Sequence, residues 1–160
     1  MNFINSRQLL LFLIFTIMII VIIELSLTPN RKLNLNYLVK ELESFQHKIY
    51  QFYGPVVHTD KLRARGLMYR KKKLGPNKGM LFYYPYDSIK SVWMKNTYIP
   101  LDVLFLDSTM KVVSLGKSLK PLSLKSVSSK IPCRHFLELD ANTISRLKIN
   151  VGDQIHFNHQ

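Results

Sequence analysis

The chain has 160 residues, enough for one domain of ordinary size with a real core once the first 30 or so are set aside. Its formal charge is +13, from 23 Lys or Arg against 10 Asp or Glu, and all of it except Arg7 and Glu24 lies beyond residue 30. A single cysteine, Cys133, excludes an internal disulfide framework and any CxxC redox or zinc motif.

Residues Leu9 to Ile23 are uncharged and, apart from Thr16, apolar. Extended past Glu24 to Leu27, the run gives about 28 Å of helix at 1.5 Å per residue, close to the hydrocarbon core of a bilayer, about 30 Å. The run ends in Glu24-Leu-Ser-Leu-Thr-Pro-Asn30 rather than the small residues of a cleavage site, so residues 1–30 read as an uncleaved transmembrane signal anchor. Arg7 on one side faces Arg31 and Lys32 on the other, so charge does not set the orientation; a long C-terminal domain can translocate regardless, and the domain is expected outside the cytoplasm.

Leu35, Leu38, Leu42, Phe45, Ile49 and Phe52 then recur at spacings of three and four. That stripe predicts an amphipathic helical linker over 31–54, ended by Gly54-Pro55.

From residue 55 to 160 short apolar or alternating runs take over. Seven strand candidates are Val56–Thr59, Gly79–Tyr84, Val92–Lys95, Leu101–Leu106, Lys111–Leu115, His135–Leu139 and Gln154–Phe157. Short helices are expected at Asp60–Met68 and Thr143–Lys148, with Asp60 and Asn142 as N-caps, and Lys117–Ile131 reads as a long mobile loop. The fold class is therefore mainly β: a compact antiparallel β-sandwich or barrel with short helices, preceded by a transmembrane helix and an amphipathic helix.

The chemistry concentrates in SVWMKNTYIPLD, residues 91–102. Trp93–Lys95 and Leu101–Leu106 read as two strands of one hairpin. Asp102, on the same face as Leu104 and Leu106, must be hydrogen-bonded, because a lone buried carboxylate costs several kcal/mol. The reading is that it pins the Asn96-Thr97 turn, as a structural tie; the functional counterpart makes Trp93, Lys95, Asn96, Thr97 and Asp102 the polar lip of a ligand pocket. Arg65 and Arg70 either offer a fork to a carboxylate or phosphate or pair with Asp102 or Glu138.

These motifs carry a resemblance. Arg65-Gly-Leu-Met-Tyr-Arg70, Gly79-Met-Leu-Phe82, Trp93-Met-Lys-Asn-Thr97 with Ile99-Pro-Leu-Asp102, Leu137-Glu-Leu139 and Val151-Gly-Asp153 resemble, in order and over about residues 55–157, the bacterial and archaeal family called domain of unknown function 192. The resemblance implies a compact, mainly β domain, often behind a signal peptide or lipid anchor, and no established reaction. Two departures are Ala141-Asn142, where the family usually reads Ala-Gly, and the basic run Arg70-Lys-Lys-Lys73.

Other constellations are weaker. Met68, Met80 and Met94 are gap-fillers rather than a Cu(I) site. Cys133 and His135 share a strand face about 7 Å apart, too far for a thiol–imidazole hydrogen bond. His58, His156 and His159 make no zinc set. No cofactor and no metal is expected. The basic run from Lys61 to Lys73 fits an anionic membrane surface better than nucleic acid. The reading is a membrane-anchored envelope module that binds an unknown small ligand or envelope component. The alternative is a hydrolase using Asp102 or Glu138 as base and Lys95 as stabiliser.

Overall fold

A computed structural model describes Thr16, Ile19 and residues 47–159. Of the unit Met1–Phe45 only those two residues are described, both helical, so the span expected over 9–27 and most of the stripe over 35–52 lie outside the described residues. Among the described residues no helix is long and apolar enough to cross a membrane.

The unit Gln46–Gln160 begins with a strand, not a helix: Ile49–Gly54 (β1) pairs in parallel with the last strand, Gln154–His159 (β9), from Ile49 opposite Gln154 to Gly54 opposite His159. The three-residue step from Ile49 to Phe52 matched helical spacing, but burial alternates with period two, through Tyr50, Phe52 and Gly54. Phe52 is fully buried, and its contacts override the local pattern. Gly54, expected as a helix cap, instead lies where β1 passes over another strand. Its φ is 149°, and a Cβ there would stand 2.1 Å from the Gly79 carbonyl oxygen.

The body is a five-stranded sheet in the order β2-β3-β8-β5-β6: Val56–Val57 (β2), Gly79–Phe82 (β3), His135–Asp140 (β8), Leu101–Leu106 (β5) and Val112–Leu119 (β6). Only β2 with β3 is parallel. Every residue of β5 is buried, as are five of the six in β8, because the sheet is covered on both faces. On one face Leu101, Val103, Phe105, Phe82 and Phe136 pack with Leu67, Met94 and Ile99. On the other, Leu104, Leu106, Leu137 and Leu139 pack with Phe52, Ile144, Ile149 and Ile155. Each such Leu or Phe contributes about 1.5–3 kcal/mol by leaving water.

The arrangement is sandwich-like, and the barrel alternative does not hold. The β1–β9 ribbon packs Phe52 and Ile155 on the sheet's face but joins its ladder only at isolated bridges, Tyr53 with Lys78 and Lys111 with Gln154, so the sheet stays open. Across the other face lies a second ribbon, Ser91–Val92 (β4) with Val127–Ser128 (β7). The expected hairpin between Trp93–Lys95 and Leu101–Leu106 is therefore absent: β4 pairs with β7, while β5 pairs with β6 and β8. The segment 117–131 is likewise not a free loop. Backbone bonds from Met94 to Ser123, Leu122 to Thr97 and Ser129 to Lys90 order it, and Val127 packs on the core.

Two short helices complete the domain, Asp60–Arg65 (α1) and Thr143–Leu147 (α2). Thr59, not Asp60, caps α1: its hydroxyl accepts from the Leu62 amide, while Asp60 pairs with Arg63. Asn142 does stand at the N-cap of α2, with a left-handed φ of 70°, but its side chain makes no capping bond. The acceptor comes from elsewhere in the chain.

Candidate functional site

Asp102 supplies that acceptor. One carboxylate oxygen accepts from the Ile144 amide of α2 at 2.8 Å and the other from the Ser118 amide at 2.7 Å. Opposite Asp102, a register shift between Leu101 and Val103 bulges β6, and Ser118 takes a φ of 49° that turns its N–H inward. Asp102 is thus a structural tie, 1% exposed, but it ties β5 to β6 and α2; the Asn96-Thr97 turn expected as its partner is not involved. Asp153 works in the same way on Lys48 and Asn150, and Asp140 on Leu74 and Gly75.

Glu138 differs from all three. In β8 it stands opposite Val103, whereas Asp102 stands opposite Leu139, so the two acids project from opposite faces of the sheet. They form no carboxylate pair. Glu138 is 6% exposed, and its Oε2 has no hydrogen-bond partner. Burial with no compensating charge pushes its pKa up to about 8, so the neutral acid dominates at pH 7.

Glu138 lines a cavity of about 290 Å³ on the face away from Asp102. Arg65-Gly-Leu-Met68 forms one wall, following α1. Gly66 turns there with a φ of 44°, and a Cβ would meet the Phe82 ring at 3.0 Å, which explains the glycine of RGLM. Trp93, Lys95 and Thr97 line it as well, with Phe82, Tyr84 and Phe136 supplying aromatic surface. The two motif loops are stapled together: the Tyr69 amide donates to the Asn96 carbonyl at 2.7 Å, and the Asn96 side chain donates to the Tyr69 hydroxyl at 3.0 Å. That staple uses left-handed backbone at both residues, with φ of 65° and 54°.

Of the residues singled out in the sequence, Arg65, Trp93, Lys95, Thr97 and Glu138 meet at the cavity. Arg70 does not: its Nε donates to the Lys72 carbonyl. Asn96 acts as staple, and Asp102 lies behind the sheet. Neither Arg65 nor Arg70 pairs with Asp102 or Glu138. Arg63 and Tyr84 were not foreseen. The Arg63 guanidinium pairs with Asp60, donates to the His58 and Tyr83 carbonyls, and lies 4.5 Å from the Tyr84 ring centre. Lys90 lies 4.1 Å from the same ring, its ammonium held by the Ser88 hydroxyl and the Tyr86 carbonyl. Burial lowers the Lys90 pKa and raises that of Tyr84. A polar tyrosine within the aromatic run Leu-Phe-Tyr-Tyr was the available signal.

Cys133 and His135 make no catalytic couple. Burial raises the thiol pKa, and burial with the nearby Arg134 lowers His135 to about 4; its Nδ1 accepts from the Tyr84 amide and its ring stacks on Tyr83. Met94 and Met80 belong to the core on the cavity face, and Met68 lines the cavity. Among the described residues no group of three or more His, Cys, Asp or Glu side chains is placed to hold a metal ion.

Comparison with known proteins agrees with the motifs. The sequence profile of DUF192, described as an uncharacterized ACR, matches residues 44–157. The chain belongs to the DUF192 family. The match starts ahead of β1, so that strand is part of the DUF192 domain, which sequence patterning alone had begun at residue 55. Two crystal structures are similar to this chain. One, a proposed transcription regulator from Sinorhizobium meliloti 1021, is 36% identical with a TM-score of 0.60, over 62% of this chain and 76% of that one. The other, a protein of unknown function from Novosphingobium aromaticivorans DSM 12444, is 30% identical with a TM-score of 0.60, over 63% of this chain and 71% of that one. No curated protein matches the sequence.

Proposed function

We propose that this DUF192 domain is a non-enzymatic binding module of the cell envelope whose cavity takes a small polar ligand at Glu138. The observation that carries the reading is the buried, unpartnered Glu138 oxygen under an open cavity with cations at its mouth. A buried polar atom without a partner costs about 1–3 kcal/mol, and a ligand that satisfies it recovers that cost. A cavity of about 290 Å³ lies at the small end of ligand sites. Of the two bases the hydrolase alternative offered, Asp102 is closed off on the other face, which leaves only Glu138, on the cavity with Lys95.

The domain is tethered to the membrane by the apolar segment 9–27 and lies outside the cytoplasm, with Lys61 and Lys71 to Lys73, all exposed, favouring an anionic lipid surface. The description of the Sinorhizobium protein raises nucleic acid as a partner. Here the helices among the described residues of the domain have six and five residues, too short to serve as a recognition helix.

A thermal-shift screen of the full-length protein against saccharides, amino acids, peptides and organic acids tests the reading, with Met68→Trp as the cavity-filling control. A stabilising compound whose shift disappears in Met68→Trp is the expected result. Shifts that survive the filled cavity contradict it.

A further inference from the structure

The cavity holds an unpartnered acid and two cations that the fold does not pair. At its floor is an acid with no cation; at its mouth, among the described residues, Arg65 and Lys95 have no carboxylate partner. Lys95 is placed 5.1 Å from the centre of the Trp93 ring. The other charged group on that side, Arg63, is already neutralised by Asp60. A ligand carrying one charge satisfies only one end. An inorganic cation is poorly served by a single carboxylate, since hard cations take six or more oxygens.

Building on the binding-module reading, we infer that the cavity recognises a small zwitterion of the α-amino acid class, its ammonium on Glu138 and its carboxylate between Arg65 and Lys95. The small volume suits such a ligand, and the apolar surround of Phe82 and Phe136 strengthens the buried ion pair. Binding couples to a proton. The Glu138 carboxylic acid releases its proton to solvent as the ligand ammonium takes its place, so one proton leaves per ligand bound at pH 7. The titratable or charged groups facing the site are Asp60, Arg63 and Arg65 from α1, Tyr84 beyond β3, and Lys95 beyond β4; on β8 only Glu138 faces it.

Isothermal titration of the full-length chain against the twenty common L-amino acids tests this. For the tightest binder, the matching amine without its carboxylate and the acid without its amine serve as probes. Affinity should rise about tenfold from pH 6 to 7, with close to one proton released there, and level off as the pH passes 8. The amine-free acid should bind at least tenfold more weakly than the amino acid. Glu138→Gln, which keeps a hydrogen-bond donor but cannot become an anion, should weaken the amino acid at least tenfold. Lys95→Gln should weaken the amino acid but not the amine. Binding retained in Glu138→Gln, an amine-free acid that binds equally well, or no binding by any of the twenty overturns the inference. A saccharide or organic acid that binds wild type and not Met68→Trp would leave the cavity reading standing while this one falls.

Discussion

Two acids one rung apart in the same sheet meet opposite fates. Asp102, on the face covered by α2 and the β1–β9 ribbon, accepts two backbone amides and is sealed from solvent. Glu138, on the face with the cavity, is as deeply buried and leaves one oxygen unsatisfied. On the first face Asp102 serves the architecture, and Asp153 repeats the device. On the second, a destabilising group is retained where a cavity reaches it. Local conflict of this kind concentrates at functional sites, and the contrast is the reason the proposed site is placed on the second face.

The largest effect should come from the first face. Asp102→Asn leaves one of the two amides facing an NH₂ group and should cost about 3 kcal/mol. Urea unfolding should show a lower midpoint with an unchanged slope. If stability is unaltered, the tie between β5, β6 and α2 is not what holds that face together.

Glu138→Gln should act in the opposite direction. The wild-type protein must hold a proton on Glu138 that the unfolded chain sheds, and removing that requirement should stabilise the domain at pH 8. At pH 4.5 the two proteins should converge.

The same contrast sets the pH dependence. Glu138 has a folded pKa raised from 4.5 to about 8, so its contribution is full below pH 4.5 and is lost as pH rises to 8. His135 has a folded pKa lowered from 6.5 to about 4, so its contribution is full above pH 6.5 and is lost as pH falls. Between pH 4.5 and 6.5 the two slopes oppose each other; above 6.5 Glu138 acts alone. Wild-type stability should therefore fall by up to about 1.4 kcal/mol per pH unit from pH 6.5 to 7.5, and Glu138→Gln should be flat there. Melting curves across that range decide it.

The smallest stability effect should come from Trp93→Ala. The ring is 47% exposed, so its loss should change stability by no more than about 0.5 kcal/mol. Any ligand shift found in wild type should nevertheless weaken, separating binding from folding.

Strands β5 and β8, both short helices and the motif loops were legible because their signals are local. Strand β1 was not, because the three-residue step from Ile49 to Phe52 fits a helix, and only parallel pairing with β9, more than 100 residues away, makes the segment extended. The β4–β7 ribbon was hidden in a Ser- and Lys-rich stretch whose order comes from backbone bonds rather than apolar pattern. Asp102 and Glu138 stood out as acids within apolar strands. Alternation gives the face of a residue within its own strand, however, and only the register between β5 and β8 shows that the two point apart. That register takes Asp102, though not Glu138, out of the hydrolase alternative.

The protonation of Glu138 is the most direct test. A carbon-detected NMR titration of the full-length protein with labelled glutamate carboxyls should show one resonance with a midpoint near pH 8, absent in Glu138→Gln and moved lower by bound ligand. A Glu138 midpoint at the ordinary glutamate value near 4.5 would mean that the acid is solvated or paired, and the cavity would lose the feature that makes it a site.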